Sequence, residues 1–76
     1  MELNEFVEKF AEQFDETDPS EIKADTRFRD LAEWSSLIGL SVISMVDEEF
    51  EVLLKGEDMR AANTPAELYN IIQSKL

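Results

Sequence analysis

The chain predicts an all-α fold: a small helical bundle of three main helices plus a short third helix, with a long loop between helices one and two. Three observations carry that expectation. Apolar residues recur at spacings of three and four, the period of a helix with one face buried, and no strand pattern interrupts them. Proline and capping residues stand where helices would begin. Finally, 76 residues without cysteine or histidine cannot be held by a disulfide or by the soft ligands of a structural zinc site, so packed amphipathic faces must supply the core. A chain this short forms one domain, residues 1–76, and folding buries only about 60% of its unfolded surface.

The first helix is expected from Leu3, Phe6, Val7, Phe10 and Phe14, with Glu2, Glu5, Glu8, Lys9 and Glu12 on the other face and an end near Asp15. One short turn follows in DETDPSEI, where Asp18 is a candidate N-cap, Pro19 takes a first helical position and Glu21 stands where a capping box wants it. From Lys23 to Glu33 no period holds, and Ile22, Phe28 and Leu31 are the expected anchors of a long connection. Connections of that length are uncommon and often functional.

The second helix starts at the paired serines of EWSSLIGL. Leu37, Leu40, Ile43, Val46 and Phe50 are expected to form its apolar stripe, widened by Val42 and Met45. Asp47, Glu48, Glu49 and Glu51 crowd its end, where carboxylates oppose the helix dipole by a few tenths of a kcal/mol each. A short third helix fits Glu57 to Ala61. The last is well marked, with Thr64 as N-cap, Pro65 at the first position, Glu67 completing a capping box, and Leu68, Ile71 and Ile72 on one face.

Composition excludes several classes of function. Without cysteine or histidine there is no Cys–His or Ser–His nucleophile pair, so the chain is not expected to be an enzyme. Eighteen Asp and Glu against seven Lys and Arg give a formal net charge of −11, a field that repels nucleic acid and anionic lipid and favours basic protein surfaces. Hydrophobic residues at 43%, placed periodically, argue against disorder. No apolar run approaches the roughly 20 residues of a membrane span, and the first residues are acidic, so a soluble, cytoplasmic monomer without membrane or nucleic-acid partners is expected. No metal-loop spacing of the EF-hand type is present, and no specific metal site is expected.

The order of long helix, long loop, Ser-Leu at a helix start, acidic helix end, short helix and capped final helix resembles the acyl carrier protein family over nearly the whole chain. The family's D-S-L signature at the start of its second helix here reads Ser35-Ser36-Leu37. Phe28, Asp30 and Leu31 resemble the family's loop before the signature, and MVDEEFEV resembles its helix ending. The resemblance implies a 4′-phosphopantetheine arm, taken from coenzyme A by a phosphopantetheinyl transferase and esterified to Ser36. It implies acyl groups carried as thioesters to enzymes of fatty acid or related acyl and polyketide synthesis. Ser35 stands where the family usually has an aspartate that helps the transferase engage.

Independent chemistry suits the location, because a helix start leaves backbone N–H groups unpaired and partly positive, which stabilises a phosphodiester. Serine before a helix is also the ordinary N-cap, and two serines allow one to cap while the other is modified. The resemblance makes Glu33, Ser35, Leu37, Asp47, Glu48, Glu51 and Glu57 the expected partner contacts, with Asp25 and Asp30 weaker. Leu40, Ile43, Met45, Val46 and Ile71 are candidate walls for an acyl chain or ordinary core, and Trp34 a core plug or a loop–helix contact. A second function class is an unmodified helical adaptor that binds basic surfaces through the same acidic face.

Overall fold

A computed structural model describes residues 1–76 as four α-helices and two single 3₁₀ turns, with no strand. Helix α1 spans Leu3–Ala11, α2 Ser36–Phe50, α3 Gly56–Ala61 and α4 Pro65–Ser74, while the turns cover Pro19–Glu21 and Phe28–Asp30. Helix α4 packs on α1 and α3, and α1 packs on α2. The small helical bundle and its long first connection are those expected from the sequence.

Glu5 begins α1 by accepting the Glu2 backbone N–H at 3.2 Å, which satisfies one orphan donor of the first turn. Phe6, Phe10 and Ala11 form its buried stripe. The helix ends four residues short of Asp15. Gln13 and Phe14 donate to the carbonyls of Phe10 and Ala11, both at 3.1 Å, so the chain tightens to three-residue closure there. Phe14 stays buried at 6% exposure, because the tightened turn still directs it to the core.

The long connection is pinned rather than loose. Asp18 accepts the Ser20 N–H at 2.9 Å and starts the first turn without a reciprocal bond from Glu21. Ile22 and Phe28 are buried as anchors and Leu31 is half-buried. Backbone bonds tie the loop to the α3–α4 junction, Phe28 N–H to Asn63 carbonyl at 3.2 Å and Ala66 N–H to Ala24 carbonyl at 3.0 Å. Arg29 adds a third tie, donating to the carbonyls of Met59 and, at 2.9 Å, Ala62, while its guanidinium lies 5.5 Å from the centre of the Phe28 ring. A cation at these carbonyls suits the end of α3, where backbone acceptors are left over.

The buried face of α2 differs from the expected stripe. Ile38, Val42, Met45 and Val46 are buried, whereas Leu37 and Leu40 are 76% and 60% exposed. The reason is angular. At about 100° per residue, each step of three falls about 60° short of a full turn, so Leu37 and Val46, nine residues apart, point to opposite sides. The set Ile38, Val42, Met45, Val46 spans only about 100°, the width of a core-facing stripe.

At the far end of α2, Glu51 adopts the left-handed conformation (φ 56°, ψ 35°) and donates its N–H to the Asp47 carbonyl at 3.0 Å. Val52 and Leu54 then turn inward and Leu53 outward before α3, where the Asp58 carboxylate accepts the Lys55 N–H at 2.9 Å. That bond, with Lys75 at 3.4 Å, holds the Asp58 carboxyl below its ordinary range. Thr64 caps α4 by accepting the Glu67 N–H at 3.1 Å. The Glu67 side chain reaches one residue further back than a capping box requires, to the Asn63 N–H at 2.7 Å. Leu68 and Ile72 are fully buried and Ile71 half-buried.

Glu51 occupies a helix-ending position that normally belongs to glycine, because a Cβ there crowds the backbone at a cost of about 1 kcal/mol. Glu51→Gly should therefore unfold at higher temperature than Glu51→Gln, which removes the same charge but keeps the crowding. A difference of about 1 kcal/mol corresponds to roughly 4–8 °C in a domain of this size. Equal melting temperatures would mean that the left-handed residue is unstrained.

Candidate functional site

The start of α2 is built from the residues before it. Trp34 is half-buried in the loop–helix junction, with its ring centre 4.6 Å from that of Phe28 and stacked at 11° against Phe10, 6.5 Å away. Its side chain is therefore a loop–helix contact at the margin of the core. Ser35 follows in extended conformation (φ −156°), and its hydroxyl accepts the Ile38 N–H at 3.4 Å. Ser36 is the first helical residue and is exposed. Its hydroxyl takes part in none of the hydrogen bonds that engage the other polar side chains here. The two serines thus differ in role: one caps the helix, and the other presents a free hydroxyl beside two N–H groups that have no acceptor within the helix.

Rotation about the α2 axis separates Ser36 from Leu37 by about 100° but brings it within about 40° of Leu40, one turn further on, and Ser36 and Leu40 border the same groove. Leu37, Leu40, Ser41, Ser44, Asp47, Glu48 and Glu51 share the outer, exposed arc. No ion pair or hydrogen bond within the protein engages the carboxylates of Asp47, Glu48 or Glu51, whereas Glu49 pairs with Lys9 at 4.0 Å. The exposed leucines give this acidic arc an apolar centre toward its N-terminal end, whereas the sequence pattern put both Leu37 and Leu40 in the apolar stripe. Among the other candidate wall residues, Met45 and Val46 belong to the buried core, and Ile43 and Ile71 are half-buried against it. Glu57 is exposed in the first turn of α3, and Asp25 and Asp30 are exposed in the loop.

Ser36 itself borders an open groove of about 330 Å³ between α2 and α3, floored by Trp34, Gly39, Leu40, Ile43 and Met59 and closed on the α3 side by Arg60. Gly39 backs onto the Trp34 ring, where an added Cβ would meet ordinary van der Waals contact at 3.7 Å, so space alone does not demand glycine there.

Glu33 does not extend the acidic arc of α2. Its carboxylate turns back to the segment after α1 and accepts the Thr17 hydroxyl at 2.7 Å and the backbone N–H groups of Asp15 at 2.7 Å, Thr17 at 2.8 Å and Glu16 at 3.0 Å. The Thr17 hydroxyl, joined by those backbone donors and opposed by slight desolvation, holds the Glu33 carboxyl below its ordinary value of 4.5. The clasp fixes the residue three positions before Ser36 to the segment that follows α1. Nothing in the sequence pattern pairs residues 15–17 with residue 33, since the contact joins two irregular segments.

The pH dependence of the clasp has a definite sign. A carboxyl whose folded pKa lies below its unfolded one stabilises fully above the unfolded value and loses that contribution as pH falls through the folded one. Glu33→Gln should therefore melt below the unmodified protein at pH 7. The gap should narrow as pH drops from 4.5 through the lower folded pKa. Thermal melts of both proteins across that window provide the check, and a gap independent of pH would show that the charge of Glu33 contributes nothing.

No protein-family model matches this chain, and searches of curated proteins and of solved structures likewise find no match.

Proposed function

We propose that the protein is an acyl carrier protein, bearing 4′-phosphopantetheine on Ser36 and presenting acyl groups to the enzymes of fatty acid or related acyl or polyketide synthesis. The observation that carries this reading is the Ser36 hydroxyl: exposed, unbonded, and first in a helix whose outer arc is acidic. The residues present fit the group. Ser36 offers an esterifiable oxygen, the unpaired N–H groups of the first turn favour a phosphate beside them, and the adjoining groove contains no carboxylate.

The bound arm supplies the thiol that this chain lacks and so carries an acyl group as a thioester. The protein contributes attachment, presentation and recognition. Leu37 and Leu40, with Asp47, Glu48 and Glu51 along the same arc, suit docking to partner surfaces that combine basic residues with an apolar recess. Charge complementarity would speed such encounters and make them sensitive to salt. The protein then acts as a carrier, with catalysis residing in its partners.

Ser35 favours a second reading. With serine where the carrier family has aspartate, the same acidic arc would serve an unmodified adaptor. Intact mass after incubation with coenzyme A and a permissive phosphopantetheinyl transferase separates the two. The protein should gain the mass of the arm, Ser35→Ala should gain it too, and Ser36→Ala should not. Loading of Ser36→Ala but not Ser35→Ala would move the attachment one residue upstream, and no loading of any variant would favour the adaptor.

A further variant tests the departure at position 35. An aspartate there would restore a charge-assisted hydrogen bond to the transferase, worth roughly 1.5–3 kcal/mol, or about 10-fold to 150-fold in rate. Ser35→Asp should load faster at limiting transferase. Its folding should change little, since aspartate caps a helix about as well as serine. Equal loading rates would mean that the transferase does not read this position.

A further inference from the structure

The groove beside Ser36 differs in charge from its neighbours. The open grooves along the outer side of α2 and around the Glu33 clasp each contain three carboxylates: Glu12, Glu48 and Glu49 in one, Glu16, Glu21 and Glu33 in another, and Glu12, Asp15 and Glu33 in a third. The groove between α2 and α3 contains none, and its single charged group is the Arg60 guanidinium. In a chain with eighteen acidic and seven basic residues, an acid-free wall facing a free hydroxyl is a strong local contrast. A second acid-free groove, of about 400 Å³ beside Lys23, borders no hydroxyl.

Arg60 is also uncommitted. The ion pairs of the protein use Lys9 and Lys75, and Arg29 is engaged by the carbonyls of Met59 and Ala62, but no ion pair or hydrogen bond of the chain involves Arg60. Its guanidinium folds back over Gly56, where an added Cβ would stand 3.2 Å from Nη1. The missing side chain at 56 leaves the guanidinium of the exposed Arg60 room to lie along the groove. A guanidinium is permanently charged and matches the geometry of phosphate oxygens with paired N–H donors.

We infer that Arg60 is a positioning residue for the arm: its guanidinium holds the phosphodiester formed on Ser36, in the groove between α2 and α3. The inference rests on the carrier reading and deepens it. Ser36 shares the groove with Leu40 but lies about 100° around the helix from Leu37, so Arg60 draws the phosphate toward α3 and away from Leu37. Leu37 and Glu48, about 100° and 120° around the helix from Ser36, are then left clear for a partner while the arm departs from the α3 side.

The test uses the full chain, loaded to completion from coenzyme A with excess permissive transferase and checked by intact mass. The ³¹P resonance of the phosphodiester and the side-chain ¹⁵Nε–H signals of the three arginines, Arg27, Arg29 and Arg60, are then recorded. On loading, the Arg60 Nε–H signal should shift while those of Arg27 and Arg29 stay in place. The ³¹P resonance should move in Arg60→Gln, return most of the way in Arg60→Lys, and remain at its original position in Lys55→Gln. Full mass gain with an unmoved Arg60 signal and the same ³¹P resonance in all four proteins would overturn the inference and leave the carrier reading standing. Failure of Ser36 to load under these conditions would overturn both.

Discussion

The Phe28 ring, fully buried between Phe10 of α1 and Trp34 at the head of α2, is the contact on which the site depends. A chain without disulfides or metal ligands has only packing to hold a connection as long as the one between α1 and α2. Aromatic pairs at these separations contribute about 0.5–1.5 kcal/mol each beyond the area they bury. Phe28 brings the loop to the core, Arg29 beside it secures the loop to the end of α3, and Trp34 fixes the chain immediately before the serines. The orientation of Ser35 and Ser36 is thus set by aromatic packing that begins at Phe10 in α1.

Charge is handled by the same economy. With so few cations, the carboxylates that shape the structure are met mainly by backbone N–H groups: Glu33 at the segment after α1, Asp18 at the first 3₁₀ turn, Asp58 at α3 and Glu67 at α4. Asp18, Asp58 and Glu67 lie at the starts of elements, where free N–H groups are available, and Glu33 meets those of the irregular segment after α1. Only Glu49 and Asp58 have cationic partners within ion-pair distance. Asp47, Glu48 and Glu51 are left without partners, on the part of α2 that faces solvent. Their mutual repulsion disfavours folding, but the same uncompensated field suits a surface that meets basic partners.

The head of α2 separates three tasks among neighbouring residues. Ser35 satisfies the backbone, Ser36 presents a free hydroxyl toward a cationic groove, and Leu37 stands on the exposed arc. Ser36 and Leu37 point about 100° apart, so on the proposed carrier reading a group on Ser36 need not cover Leu37.

Much of this was determined by the sequence alone. Three- and four-residue spacing specified helices, Asp18, Pro19, Thr64 and Pro65 marked where elements start, and the acidic excess and paired serines pointed to the head of α2. These are local signals, carried by residues within one or two helical turns of each other. Only the tertiary structure decided which side of α2 is buried, because Ile38 and Leu37 are equally apolar and the choice depends on what α1 and the loop bring against them. It also decided that Glu33 grips residues 15–17, that Arg29 reaches α3, and that Arg60 stands at the groove of Ser36. Each joins residues from different elements, and no periodicity along a chain records the distance between two segments that only packing brings together.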